Sequence, residues 1–170
     1  MDRELLDRAR AGDMEAFDEI VLAKGEPLFR TAFAILGSEA DARDAVQETL
    51  VSAWRKLPEL RQLDRFDAWI GRSLINECRD ALRRRGRVRE IGIEAADFTD
   101  SPDRPSQASS ELRSAFARLS ADQRSILVLH HLHGYGVAEI GAWLGIPSGT
   151  VKWRLSRARR ALRAALEREQ

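Results

Sequence analysis

The chain has 170 residues, of which 44% are hydrophobic and 32% charged, with a formal net charge of +1 and a single cysteine, Cys78. That length fits one domain or two small ones, and a lone cysteine excludes an intramolecular disulfide or a cysteine-based metal cluster. No apolar run reaches the ~18 residues of a membrane span, and the N-terminus MDRELLDRAR is charged where a signal peptide is apolar, so the expected location is the cytoplasm with no direct membrane insertion.

In chain order, nearly everything reads as helix. Leu5, Leu6 and Ala9 mark a short first helix ending at Gly12. Asp13 can cap a second, which buries Ala16, Phe17, Ile20 and Val21 and is expected to pause at Gly25–Pro27 before Leu28, Phe29, Ala32, Phe33 and Leu36 continue its stripe. Ser38 and Asp41 form an S-x-x-D start signal. The helix after it buries Ala42, Ala45, Val46, Thr49, Leu50, Ala53, Trp54 and Leu57, leaving Asp44, Gln47, Glu48 and Arg55 largely off that face. Pro58 stops it, and Leu57 to Asp67 reads as a loop. From about Phe66 to Arg85, Trp69, Ile70, Leu74, Cys78, Ala81 and Leu82 share one helical face, while Arg72, Asn76, Arg79 and Arg83 lie on the other. Cys78 is expected to be a small buried apolar residue.

Between about Val88 and Ser110 the periodicity lapses into an acidic stretch with two prolines, read as a linker. Beyond it come a helix around Leu112 to Leu119, a capping box at Ser120 and Gln123 ahead of the apolar segment SILVLHHLHG, and a short amphipathic helix, VAEIGAWL. Gly145 then turns the chain into a last helix, for which Ser148 is the expected N-cap. Val151, Leu155, Ala158, Leu162, Ala165 and Leu166 form its apolar stripe, and Lys152, Arg154, Arg157, Arg159, Arg160 and Arg163 crowd the rest. A short helix, a glycine turn and a longer basic helix make the helix-turn-helix pattern, whose second helix enters the DNA major groove. The fold class is therefore all-α: two small helical domains, 1–87 and 111–170, joined by a flexible acidic linker, 88–110, the second a four-helix, winged-helix-like, helix-turn-helix domain.

The small net charge conceals segregation. Residues 1–58 carry a net −4, residues 79–90 +4, residues 91–111 −4 and residues 152–170 +5. Two basic blocks divided by acidic ones suggest two nucleic-acid contacts and at least one protein-facing surface. His130, His131 and His133 lack an adjacent carboxylate or thiol and are read as partly buried or surface histidines rather than metal ligands. No catalytic set, phosphate loop or cofactor motif is present, so neither enzyme activity, a small-molecule substrate nor a cofactor is expected.

The order of LSADQRSILVLHHLHGYGVAEIGAWLGIPSGTVKWRLSRARRAL resembles the promoter-reading domain of extracytoplasmic-function (ECF) sigma factors. SEADARDAVQETLVSAWRKL and FDAWIGRSLINECRDALRRR resemble two pieces of that family's first domain. The resemblance implies that Asp44, Gln47, Glu48 and Arg55 grip the clamp helices of RNA polymerase, where exposed carboxylates and amides accept bonds from arginines. It implies that the loop before residue 67 and the helix after it open the promoter −10 element and hold a flipped base. Asn76 matches an asparagine near that pocket, Arg65, Arg72, Arg79, Arg83, Arg84 and Arg85 suit phosphates, and Phe66 and Trp69 could stack on bases, Trp69 being the better core candidate. Ser148, Thr150, Lys152, Trp153, Arg154 and Arg157 occupy the positions that face the −35 element. Trp153 departs from the small hydroxyl residue common there, and either touches a thymine methyl or packs on the first helix of the motif. Implied partners are core RNA polymerase through its clamp helices and flap, promoter DNA in duplex and single-stranded form, and an anti-sigma protein, often membrane-bound. The alternative is a stand-alone helix-turn-helix regulator acting on duplex DNA.

Overall fold

The computed structural model describes residues 1–90 and 107–168, with side chains for 1–86 and 110–168. Among the described residues the chain is built from eight α-helices and no strand: α1 (Arg3–Arg10), α2 (Met14–Leu36), α3 (Glu39–Lys56), α4 (Phe66–Glu90), α5 (Gln107–Ala117), α6 (Ala121–Leu127), α7 (Val137–Leu144) and α8 (Ser148–Leu166). Most of the expected linker, residues 91–106, lies outside the described residues. At its two ends α4 runs on to Glu90 and α5 begins at Gln107.

The helix starts follow local chemistry. The Asp13 carboxylate accepts from the Ala16 amide at 3.1 Å, and the Ser38 hydroxyl from the Asp41 amide at 3.3 Å, each satisfying a donor that a first turn leaves unpaired. The capping box at Ser120 and Gln123 is formed in both directions. Gly37 and Gly145 close α2 and α7 in the left-handed conformation, each at φ 67°.

Four details differ from the sequence reading. First, α2 does not pause at Gly25–Pro27. It runs through Pro27, because Ile20 on one side and Leu28, Thr31, Ala32 and Ile35 on the other bury one continuous stripe. Second, Ser148 is the first residue of α8 rather than its cap; Pro147 occupies the cap position and no side chain bonds the first turn. Third, short 3₁₀ turns at Leu57–Glu59 and Leu63–Arg65 break the loop after α3, and they bury Leu57 and Leu63. Fourth, the apolar segment after α6 widens into a π-type turn over Val128–Leu132.

α2, α3 and α4 pack on one another under α1, while α6, α7 and α8 pack together with α5 laid against α8. At the helix-turn-helix, the Ile146 amide donates to the Gly141 carbonyl at 3.0 Å, and a β-carbon at Gly141 would lie 2.8 Å from the Ile146 carbonyl oxygen. Only glycine permits that close approach of turn and helix. The two halves also share one core: α4 packs against α6 and α7, and α2 against α6 and the π-type turn.

Candidate nucleic-acid and protein interfaces

The outer face of α3 carries Asp44, Gln47, Glu48 and Arg55, all exposed, because Ala42, Ala45, Val46, Thr49 and Ala53 turn the opposite face into the core. Beside it an open groove of about 940 Å³ runs between α2 and α3, lined by Phe17, Val21, Phe29, Val46, Leu50 and Trp54, with Gln47 and Arg55 on its margin. Met14 (62% exposed), Leu22 (83%) and Val51 (38%) add large apolar groups exposed on these two helices. An apolar floor with polar groups on its rim is the composition of a protein-docking surface.

On α4 the predicted promoter residues divide. Arg65, Asn76 and Arg84 are exposed, and Arg83 is exposed while paired with Asp80. Phe66 is not available for stacking on a base: it is 1% exposed, its ring lodged in the core with the centroid 5.8 Å from that of the partly buried Trp69. A phenylalanine at the first position of α4 has the core beneath it, a burial that the loop reading missed. Arg72 and Arg79 face the other half of the chain. Arg72 donates to the Ala142 carbonyl at 2.6 Å and the Trp143 carbonyl at 3.2 Å, at the C-terminal end of α7, where a cation is favoured. Arg79 pairs with Asp122 of α6 at 2.7 Å. Arg85 donates to the Leu36 carbonyl at 3.0 Å and pairs with Asp41, which ties α4 to the junction of α2 and α3.

On α8, burial of Val151, Leu155, Ala158 and Ala165 leaves Ser148, Lys152, Trp153 and Arg157 exposed and Thr150 half-buried. Arg154 leans back toward Asp122 at 3.6 Å. Trp153 is the exposed large apolar side chain of this face. It is 56% exposed, and the Arg157 guanidinium lies over its ring at 4.9 Å from the centroid.

Arg124 and Gly71 add further contacts between the halves that were not foreseen. Arg124 is 7% exposed and donates to the Leu119 carbonyl at 3.1 Å and the Ile35 carbonyl at 3.3 Å, and also to the Ala117 carbonyl, fastening α6 to the end of α2. Gly71 lies under the Trp143 indole so closely that a β-carbon there would be 2.1 Å from the ring. Neither has a strong sequence signal, since an arginine in a polar first turn and a glycine in a long helix both read as solvent-facing or incidental.

The three histidines each have another partner. The His130 Nδ1 lies 3.0 Å from the Tyr135 carbonyl, and the His131 Nε2 accepts from Arg159 at 3.2 Å. The His133 Nε2 lies 2.9 Å from the Thr31 hydroxyl across the two halves. Burial first, then the positive charge of Arg159, holds His131 below the usual histidine range; for His133 the causes are burial, then Arg30. Cys78 is fully buried, and desolvation pushes its thiol up to about 12.

Comparison with known proteins places these surfaces in a family. Residues 21–88 match sigma-70 region 2 and residues 109–162 match sigma-70, region 4. The ECF RNA polymerase sigma factor SigM of Mycobacterium tuberculosis is 34% identical over 163 residues, 95% of this chain and 82% of the relative. The sigma factor CnrH of Cupriavidus metallidurans is 31% identical, over 98% of this chain and 94% of its own. Among solved structures, CnrH in complex with the cytosolic domain of CnrY is similar at a TM-score of 0.69 with 30% identity, covering 99% of both chains. Sigma factor RpoE of Bartonella quintana in complex with the anti-sigma factor NepR also aligns at 0.69, with 28% identity, covering 92% of this chain and 100% of that one. The chain belongs to the ECF RNA polymerase sigma factors. Among the described residues no helix is long and apolar enough to cross a membrane.

Proposed function

We propose that this sigma factor works as two domains, 1–87 and 111–170, joined by a linker over 88–110, and that it directs polymerase to promoters without chemistry of its own. Asp44, Gln47, Glu48 and Arg55 would hold the clamp helices of core polymerase. Arg65, Asn76, Arg83 and Arg84 would engage the −10 element, with Arg72 and Arg79 joining them once released from α7 and α6. Ser148, Thr150, Lys152, Trp153, Arg154 and Arg157 would meet the −35 duplex, and the apolar remainder of the second domain the flap. CnrH and RpoE each form a complex with a second protein, CnrY and the anti-sigma factor NepR. By the same logic an anti-sigma protein would control this chain in the cytoplasm.

The observation that carries the reading is the exposed polar row of α3 beside an apolar groove, on a helix whose other face is wholly occupied by core packing. A stand-alone duplex reader would use that surface only to pair with a second copy of itself. The test is reconstituted transcription with core polymerase on a promoter library, alongside the double variant Gln47→Ala, Glu48→Ala. The variant should lose polymerase affinity with its melting temperature nearly unchanged. Unaltered affinity would defeat the assignment, and binding of the isolated protein to a palindromic duplex with none to polymerase would select the stand-alone regulator.

A further inference from the structure

The exposed Trp153 is the residue of α8 whose presence the apolar stripe does not explain. It lies outside the packed core and keeps more than half its surface in water, although a large indole gains by being covered. What covers it is Arg157, four residues on and therefore one turn along the same face, its guanidinium 4.9 Å from the ring centroid and inside the ~6 Å range of a cation–π contact. Neighbouring arginines are directed elsewhere: Arg154 toward Asp122 at 3.6 Å, and Arg159 toward His131 at 3.2 Å.

Resting on the −35 reading of α8, we infer that Trp153 is a positioning residue that sets base selectivity through Arg157. A guanidinium held over an indole by a cation–π contact keeps N–H groups available for other acceptors. Those groups form the fork that bonds the two acceptors on a guanine edge in the major groove. A free arginine spends rotamer entropy to reach that geometry, whereas one held on a ring already has most of it fixed. Discrimination for guanine at one position of the −35 element therefore depends on the pair.

The test is promoter selection by holoenzyme, full-length protein plus core polymerase, on a library randomised across the −35 element. Arg157→Ala defines the position that Arg157 reads, with a preference loss of roughly 5- to 150-fold for one bidentate contact. Trp153→Ala should weaken preference at that same position by roughly 2- to 5-fold and leave other positions as they were, as expected for loss of an exposed cation–π contact. Trp153→Phe, which keeps a ring face, should restore most of it. The double alanine variant should be no less selective than Arg157→Ala alone. The inference is overturned if Trp153→Ala leaves that position unchanged, shifts preference at a different one, or multiplies with Arg157→Ala. A flat profile for Arg157→Ala removes the −35 reading and the inference with it, whereas a selective loss there with no effect of Trp153→Ala removes the inference alone.

Discussion

Two buried side chains show how residue chemistry sets what the protein tolerates. Arg124 keeps its charge at 7% exposure because the carbonyls of Leu119, Ala117 and Ile35 surround its guanidinium. Arg124→Ala would leave buried carbonyls without donors, and hydrogen bonds to charged groups are worth about 1.5–3 kcal/mol each. The variant should lose about 3 kcal/mol in denaturant unfolding, and Arg124→Lys, which cannot span three acceptors in a plane, should recover only part of it. Cys78 is the opposite case, a fully buried thiol pushed up to about 12. Thiol reagents at neutral pH should therefore label it only as fast as the protein unfolds, and a fast stoichiometric reaction in the native state would contradict that burial. The sequence pointed to a buried Cys78, since it shares a periodic face with Leu74 and Ala81. It did not point to Arg124, because a buried arginine is specified by acceptors from a distant segment, Ile35 here, and not by its neighbours in sequence.

At the level of elements the helices were legible wherever a cap and a period agreed, as at Asp13, Ser38 and Ser120. The failures came where a long-range partner overrode a local rule. Pro27 lacks the N–H that a helix interior uses and its ring crowds the preceding turn, so Gly25–Pro27 reads as a break. The helix persists because residues on both sides of it share one buried stripe. Pro27→Ala restores the missing donor and should raise stability by about 1 kcal/mol, part of the ~3 kcal/mol by which the two residues differ inside a helix. A loss on thermal unfolding would instead mean that the ring's packing in the cavity of about 450 Å³ between the halves, which it lines with Thr31, His133 and Trp143, outweighs the backbone gain. The candidate interfaces were legible to a similar degree. The α3 row and the α8 face follow from 3.6-residue periodicity, whereas the burial of Phe66 and the engagement of Arg72 and Arg79 depend on how helices meet.

Across the whole molecule, the contact between the halves makes two predictions. The first concerns pH. The Thr31 hydroxyl lies 2.8 Å from the Pro27 carbonyl, which can only accept, so its hydrogen goes there and the His133 Nε2–H donates to the hydroxyl oxygen. Burial and then Arg30 hold the folded His133 below its ordinary range, while Lys24, Asp64, Asp67 and Glu139 line the same cavity. The native state thus holds fewer protons on this ring than the unfolded chain. Its contribution to stability is complete above the usual histidine range, about pH 6.5, and is lost as pH falls through that range toward the folded value. Relative to His133→Gln, the wild-type melting temperature should fall more on acidification, and parallel profiles would reject the assignment.

The second prediction tests the closed contact itself. A methyl group at Gly71 cannot coexist with the Trp143 ring, which would lie 2.1 Å from it, so Gly71→Ala must displace the indole or part the halves. Overpacking of this kind costs typically 1–3 kcal/mol. Gly71→Ala should lower stability by about that much and enlarge the particle in small-angle X-ray scattering. In a Trp143→Ala background the same change should cost little, because the clash is gone. Arg72 has its Nε and Nη2 groups tied to the Trp143 and Ala142 carbonyls, which fixes the guanidinium against α7, so an opened protein frees those donors and the side chain's reach for a DNA phosphate. If α4 engages the −10 strand as proposed, Gly71→Ala should bind a single-stranded −10 oligonucleotide more tightly than wild type, with the gain removed by Arg72→Ala. Equal binding by wild type and Gly71→Ala, in a variant that scattering shows to be open, would mean that the contact between the halves does not limit access to α4.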